Sequence, residues 1–132
     1  MLKAVNINSS KRIEFIDITD QVAKVVSKSQ INSGLACLFV PHTTTGITIN
    51  EGADPSVIED MINRTSTLVP VDGNYSHREG NADSHIKTSL FGPQVNVIIE
   101  DNKLVLGTWQ AIYFAEFDGP RSRKLYIKII ES

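Results

Sequence analysis

Three histidines stand in this 132-residue chain, His42, His77 and His85. Each lies in polar, turn-rich or helix-edge surroundings. Three imidazoles that leave one position open suit a divalent transition metal; for a divalent metal ion in general, zinc and magnesium are the ions to consider. Their spacing follows no short zinc motif, and three unrelated surface histidines are the plain alternative. His42 opens the stretch PHTTTGITINEGADP. Behind it come the hydroxyls of Thr43, Thr44 and Thr45, then Gly46, a β-branched run, and the acids Glu51 and Asp54. Glu51 falls on the face of Ile47 and Ile49, where a carboxylate must be paired, hydrogen-bonded or neutralised. The plain alternative there is a strand end, with Glu51 clear of the core.

Two arginines form a second set. Arg121 and Arg123 continue the parity of Leu125, Ile127 and Ile129, at the mouth of an inward face. A guanidinium is a fixed bidentate fork for phosphate or carboxylate. Arg123 is the nearer to the core and needs a partner, with Glu116, Asp118 or a ligand phosphate as candidates. Glu116 and Asp118 themselves follow the parity of Ile112 and Phe114, and suit either a metal or the arginines. The third set is Gly107-Thr108-Trp109-Gln110. Glycine admits close approach of backbone to a ligand, tryptophan stacks on a flat heterocycle, and a glutamine amide reads its polar edge. A strand entry with a core tryptophan explains the same residues.

The elements that must position these groups follow from periodicity. Leu2 to Ile7 and Ile13 to Ile18 read as strands around a polar turn. Thr19 or Asp20 caps a helix to about Lys28, with Val22, Val25 and Val26 on one stripe. Leu35 to Val40 is apolar on both faces, which suits a central strand buried on both sides or against another subunit. Cys37 lies in this run and reads as a core thiol. Thr44 to Asn50 is the next strand. Asp54-Pro55 starts a helix to about Asn63, with Asp54 as N-cap. The polar segment Val69 to Ser84 is long for a small domain, which points to function or disorder. It carries His77, Glu79 and Asn81. A short helix from about Ala82 to Phe91, closed by Gly92, carries His85 and Lys87. Val95 to Glu100 and Lys103 to Leu106 form a hairpin around Asp101-Asn102. A strand through Phe117, the turn Asp118-Gly119-Pro120 and a last strand, Arg123 to Ile130, complete the chain. The expectation is one α+β domain over residues 1–132, with a largely antiparallel β-sandwich or barrel-like core and two or three short helices.

Composition bounds the partners. Net charge is −2, so no global basic field draws in nucleic acid. One cysteine excludes an internal disulfide framework. The start lacks a signal-peptide core and no apolar run spans a membrane, so cytoplasm is the expected location.

Three blocks, HTTTGITINEGADP, HREGNADSHIK and GTWQAIYFAEFDGPRSR, resemble the YjbQ family in content and order, from about Phe39 to the C-terminus. The resemblance implies an α+β fold assembled as a homotrimer, with sites near the subunit interfaces. It also implies a weak thiamine-phosphate synthase activity, a transferase reaction joining hydroxymethylpyrimidine diphosphate to thiazole phosphate with release of pyrophosphate. His42, His77 and His85 match the family's histidines and are expected to hold a divalent metal ion. Glu51, Asp54 and Glu79 are the expected catalytic acids. Thr43, Thr44, Thr45, Asn81, Lys87, Trp109, Gln110, Asp118, Arg121 and Arg123 are expected to bind a small phosphorylated substrate. A metal-dependent hydrolase of a small phosphorylated or heterocyclic metabolite is a competing expectation. So is a non-catalytic trimeric binding protein for an anionic metabolite.

Overall fold

The computed structural model describes residues 2–132. Eight strands and three helices follow in the order β1 (Leu2–Asn8), β2 (Glu14–Asp17), α1 (Thr19–Ser29), β3 (Gly34–Phe39), β4 (Thr45–Glu51), α2 (Pro55–Leu68), α3 (Ala82–Phe91), β5 (Gln94–Glu100), β6 (Lys103–Leu104), β7 (Gln110–Glu116) and β8 (Ser122–Glu131). All pairings are antiparallel. They make a five-stranded sheet, β1-β8-β3-β5-β6, and a three-stranded sheet, β2-β7-β4. The α+β expectation holds. Among the described residues no helix is long and apolar enough to cross a membrane.

Alternation decides which side chains enter the core, because successive residues of a strand point to opposite faces. On β8, Leu125, Ile127 and Ile129 are buried and point the same way as Arg123. Ala36 and Leu38 of β3, Val97 and Ile99 of β5, and Ile112 and Phe114 of β7 meet them in one cluster, closed by Val22 and Val26 of α1. The central strand β7 is buried on both faces from Ala111 to Glu116. An aromatic cluster covers its far side: Phe15, Phe91 and Phe117 stack edge-on or tilted at centroid distances of 5.3–5.9 Å. Helix α3 lies close against β4 because Gly46 has no side chain. A Cβ there would come within 3.0 Å of the Cβ of Phe91 and 3.1 Å of the Gly92 carbonyl oxygen.

Several elements differ from the sequence reading. Helix α2 runs on to Leu68 instead of ending near Asn63, because Thr65 and Thr67 satisfy their hydroxyls on carbonyls one turn back instead of breaking the helix. Helix α1 has no side-chain cap from Thr19 or Asp20. Its N-cap is Ile18, and Asp17 accepts from the Thr19 N–H and hydroxyl instead. The β5–β6 hairpin turns where expected, with Asp101 and Asn102 both at positive φ, 53° and 58°, as a tight twisted turn requires. Strand β3 is not covered on both faces within one chain. Its outward residues Leu35 and Phe39 are 40% and 39% exposed, and Ile98 and Ile130, at 55% and 54%, stand on either side of Leu35. Cys37 is half-buried on this outer face and not in the core. In α2 no residue is fully buried.

Candidate functional site

The inward parity of β8 ends in a charge. Arg123 is 6% exposed, so its guanidinium needs partners inside the fold. Glu116, fully buried at the end of β7, accepts from Arg123 Nε at 2.8 Å and from Nη2 at 2.6 Å. Arg123 Nη2 also donates to Thr44 Oγ1 at 2.8 Å, and Ser9 Oγ donates to Glu116 Oε1 at 2.7 Å. The Asp118 backbone N–H bonds the second oxygen. Burial pushes the Glu116 carboxyl up, but the bonds from Arg123, Ser9 and the Asp118 backbone outweigh it, and the group sits below its ordinary value.

A second buried group lies beside the first on α3. Asp83 and Lys87, one helical turn apart, are 0% and 1% exposed, with Nζ 3.4 Å from Oδ2. Arg12, from the β1–β2 turn, reaches Asp83 with Nη2 at 3.0 Å and Nη1 at 3.2 Å. Burial raises the Asp83 carboxyl, and the Arg12 bonds with the charges of Arg12 and Lys87 bring it below its ordinary value. Ser84 donates to the Phe117 carbonyl, and Asn81 to Asp118 Oδ2 at 2.8 Å. Arg121, largely exposed, donates to the Asp118 backbone carbonyl and side chain. Among the described residues, three buried oxygens at this end have no partner: Thr45 Oγ1, Asn81 Oδ1 and Thr88 Oγ1.

The histidines divide. His77 and His85 meet edge to face at 5.2 Å between ring centroids, and His77 Nε2 is 3.9 Å from Glu79 Oε2. They line a hollow of about 410 Å³ together with Tyr75, Ser76, Ala82 and Ile86. His42 is engaged elsewhere: its Nε2 accepts the backbone N–H of Lys124 at 2.9 Å. Burial and the nearby Arg123 charge lower its pKa below the ordinary 6.5, which keeps the imidazole neutral at pH 7. Among the described residues no group of three or more His, Cys, Asp or Glu side chains is placed to hold a metal. Two imidazoles are fewer donors than the four a zinc ion takes, so one chain does not fit a resident metal by itself.

Four of the expected site residues, Glu51, Asp54, Trp109 and Gln110, lie at the other end of the β4–β7 ladder, and Thr43, Thr44 and Thr45 stay at the arginine end. Glu51 stands opposite Gln110, and Thr45 opposite Glu116, in the β4–β7 ladder. Six residues of strand separate the pairs, about 20 Å. Trp109, 65% exposed, and Gln110 therefore sit far from the arginines of their own chain. Gln110 Oε1 accepts the Gly107 N–H. Glu51 Oε2 accepts the Ala53 N–H. Asp54 caps α2 by accepting from the Ser56 N–H and hydroxyl, which lowers its pKa. Thr43 is exposed and Thr44 and Thr45 are buried. Arg12, Asp83, Ser9 and Ser84 were not legible as site residues. Only the spacing of Asp83 and Lys87 on a helix carried a signal, since residues four apart share a face.

A family model described as UPF0047 protein YjbQ-like matches residues 3–132. The chain belongs to the YjbQ family. Its relatives in that family include a UPF0047 protein of Methanocaldococcus jannaschii, 54% identical over 98% of this chain and 94% of the relative. The UPF0047 protein YugU of Bacillus subtilis is 49% identical over 98% of this chain and 99% of its own. A YjbQ/UPF0047-family crystal structure from Clostridium acetobutylicum superposes with a TM-score of 0.95 at 51% identity, covering 97% of this chain and 99% of that one. A structure from Sulfolobus solfataricus, described as a YbjQ-like protein of unknown function, matches with a TM-score of 0.95 at 30% identity, over 100% of this chain and 97% of that one. These findings correct the expected activity. YjbQ-family relatives of this chain carry only the UPF0047 or YjbQ designation, and a solved neighbour is described as of unknown function. Nothing among them speaks for thiamine-phosphate synthesis.

Proposed function

We propose that this YjbQ-family chain binds a small phosphorylated molecule at the end of the fold where Arg12, Lys87, Arg121 and Arg123 gather. The observation that carries the reading is the exposed Arg121 guanidinium, held among the described residues only through Asp118, beside the closed pairs of Arg123 with Glu116 and of Arg12 and Lys87 with Asp83. The deeper pairs set the frame, and the exposed Arg121 side chain and the Nδ1 of His42, unpartnered among the described residues, are the groups open to a ligand. Arg121 is 56% exposed in its side chain, so it can exchange Asp118 for a phosphate, a partner that suits the guanidinium fork better than one carboxylate oxygen. A divalent transition cation would enter with the ligand, held by His77 and His85 beside Glu79 and completed by phosphate oxygens.

The working form in this reading is a homotrimer in the cytoplasm. Its support is the uncovered apolar row Ile98, Leu35 and Ile130, together with a helix α2 that buries no residue completely within its own chain. A head-to-tail ring closes without leaving such a row free. It would also let the Trp109 end of one copy approach the arginine end of the next, restoring Trp109 and Gln110 as ligand contacts.

Calorimetric titration of the protein with inorganic phosphate, with and without Zn²⁺, tests the reading. Arg121→Ala is expected to weaken phosphate binding at least tenfold without lowering the melting temperature. His77→Ala and His85→Ala are expected to abolish the zinc-dependent increment only. Parent protein that binds no phosphate, with or without Zn²⁺, sinks the proposal.

A further inference from the structure

We infer that His42 serves the proposed anion site as a fixed Nδ1–H donor to a ligand oxygen, and not as a metal ligand. The inference rests on the anion-site reading above for its ligand, and on the β3–β8 register for its geometry. Phe39 stands opposite Tyr126. Two residues further along the same ladder, Pro41 would face Lys124. Proline has no N–H to continue the ladder and fixes its own φ, so β3 stops at Phe39 and the chain turns away. The Lys124 backbone N–H is left on that edge, and His42 Nε2 takes it at 2.9 Å.

That bond decides the tautomer. A backbone N–H can only donate, so Nε2 must offer its lone pair, and the proton of the neutral ring is on Nδ1. A metal on Nε2 would have to displace the Lys124 bond. A metal on Nδ1 would force the proton onto Nε2, directly against the Lys124 N–H. Neither is compatible with the observed contact. Nδ1 itself has no partner among the described residues and remains available. Its surroundings favour an anion. Arg123 Nη2 holds Thr44, two residues along, and Arg123 is the stronger of the two charges felt by the imidazole, ahead of Glu116. The ligand atom it would recognise is a phosphate or carboxylate oxygen.

Long-range ¹H–¹⁵N correlation spectra of ¹⁵N-histidine-labelled protein read the tautomer directly. His42 is expected to show the Nδ1–H pattern. Inorganic phosphate is expected to shift that proton, while Zn²⁺ shifts His77 and His85 and leaves His42 in place. His42→Ala should weaken phosphate binding about tenfold, the loss of one hydrogen bond to a charged group. His42→Asn, whose amide can stand in for Nδ1–H, should recover most of it. An Nε2–H pattern, or zinc acting first on His42, overturns the inference with no need for a ligand. Phosphate that binds the parent but leaves the His42 signal and the His42→Ala affinity unchanged overturns the donor role alone. If phosphate does not bind the parent at all, the anion-site reading fails and takes the donor role with it.

Discussion

Glu116 and Arg123 face each other across the β7–β8 turn, each buried, through two bonds of 2.8 and 2.6 Å. They close the end of the sandwich that also holds Asp83 and Lys87, the other buried charges among the described residues. Removing one member of a buried pair strands the other charge away from water, at a cost of about 3–5 kcal/mol. Arg123→Ala is therefore expected to lower unfolding free energy in urea by about that amount. A loss below about 1 kcal/mol would mean that Glu116 is reached by water once Arg123 is gone.

The Arg12–Asp83–Lys87 group predicts an order of effects. Asp83 is the anion shared by two cations, one of which is almost fully buried. Asp83→Ala leaves the Lys87 ammonium without its carboxylate and should be the most damaging change of the three. Arg12, whose side chain is 36% exposed, contributes on the scale of a surface ion pair, about 1 kcal/mol or less. Thermal melts of Asp83→Ala and Arg12→Ala should rank in that order. The reverse ranking would place the main stabilisation in Arg12 and not in satisfying Lys87.

Acid should destabilise the fold in two stages. His42, Asp83 and Glu116 all have pKa values lowered by folding. For such groups the unfolded chain binds more protons, so their contribution is complete above the unfolded value and is lost as pH falls through the folded one. The first loss should begin below about pH 6.5, the ordinary value for His42, and the second below about 4.5 and 3.8, the ordinary values for Glu116 and Asp83. Melting temperature against pH should show both. In His42→Asn the upper stage should vanish and the lower remain. A profile unchanged by that substitution would assign the upper stage to another group.

The apolar row on the outer face of the larger sheet predicts a self-association phenotype. Ile98→Glu places a charge beside Leu35, at a position already exposed in the single chain. Sedimentation velocity should give a trimer mass for the parent and a monomer mass for the variant, with far-ultraviolet dichroism unchanged. A monomeric parent at micromolar concentration removes the trimer from the proposed function.

The sequence alone determined most of the secondary structure, because strand alternation and the stripe of α1 are local periodicities. Asp54-Pro55 announced a helix start, and Asp101-Asn102 a tight turn, from side-chain and φ preferences of a few residues. The parity of Arg121 and Arg123 with Leu125 was enough to set Arg123 on the inward face, and Glu116 was already among its candidate partners. What only the tertiary structure decided is which distant groups meet. Arg12 reaches Asp83 across 71 residues of chain, and Ser9 reaches Glu116 across 107. No local pattern encodes such contacts, since they depend on how the β1–β2 turn packs on α3 and on the β7–β8 turn. The same holds in reverse for Trp109 and Glu51. Their motifs look contiguous with the histidine and arginine blocks in the sequence. An extended strand, advancing about 3.4 Å per residue, carries β7 from Gln110 to Glu116 and so sets the two groups at opposite ends of the molecule.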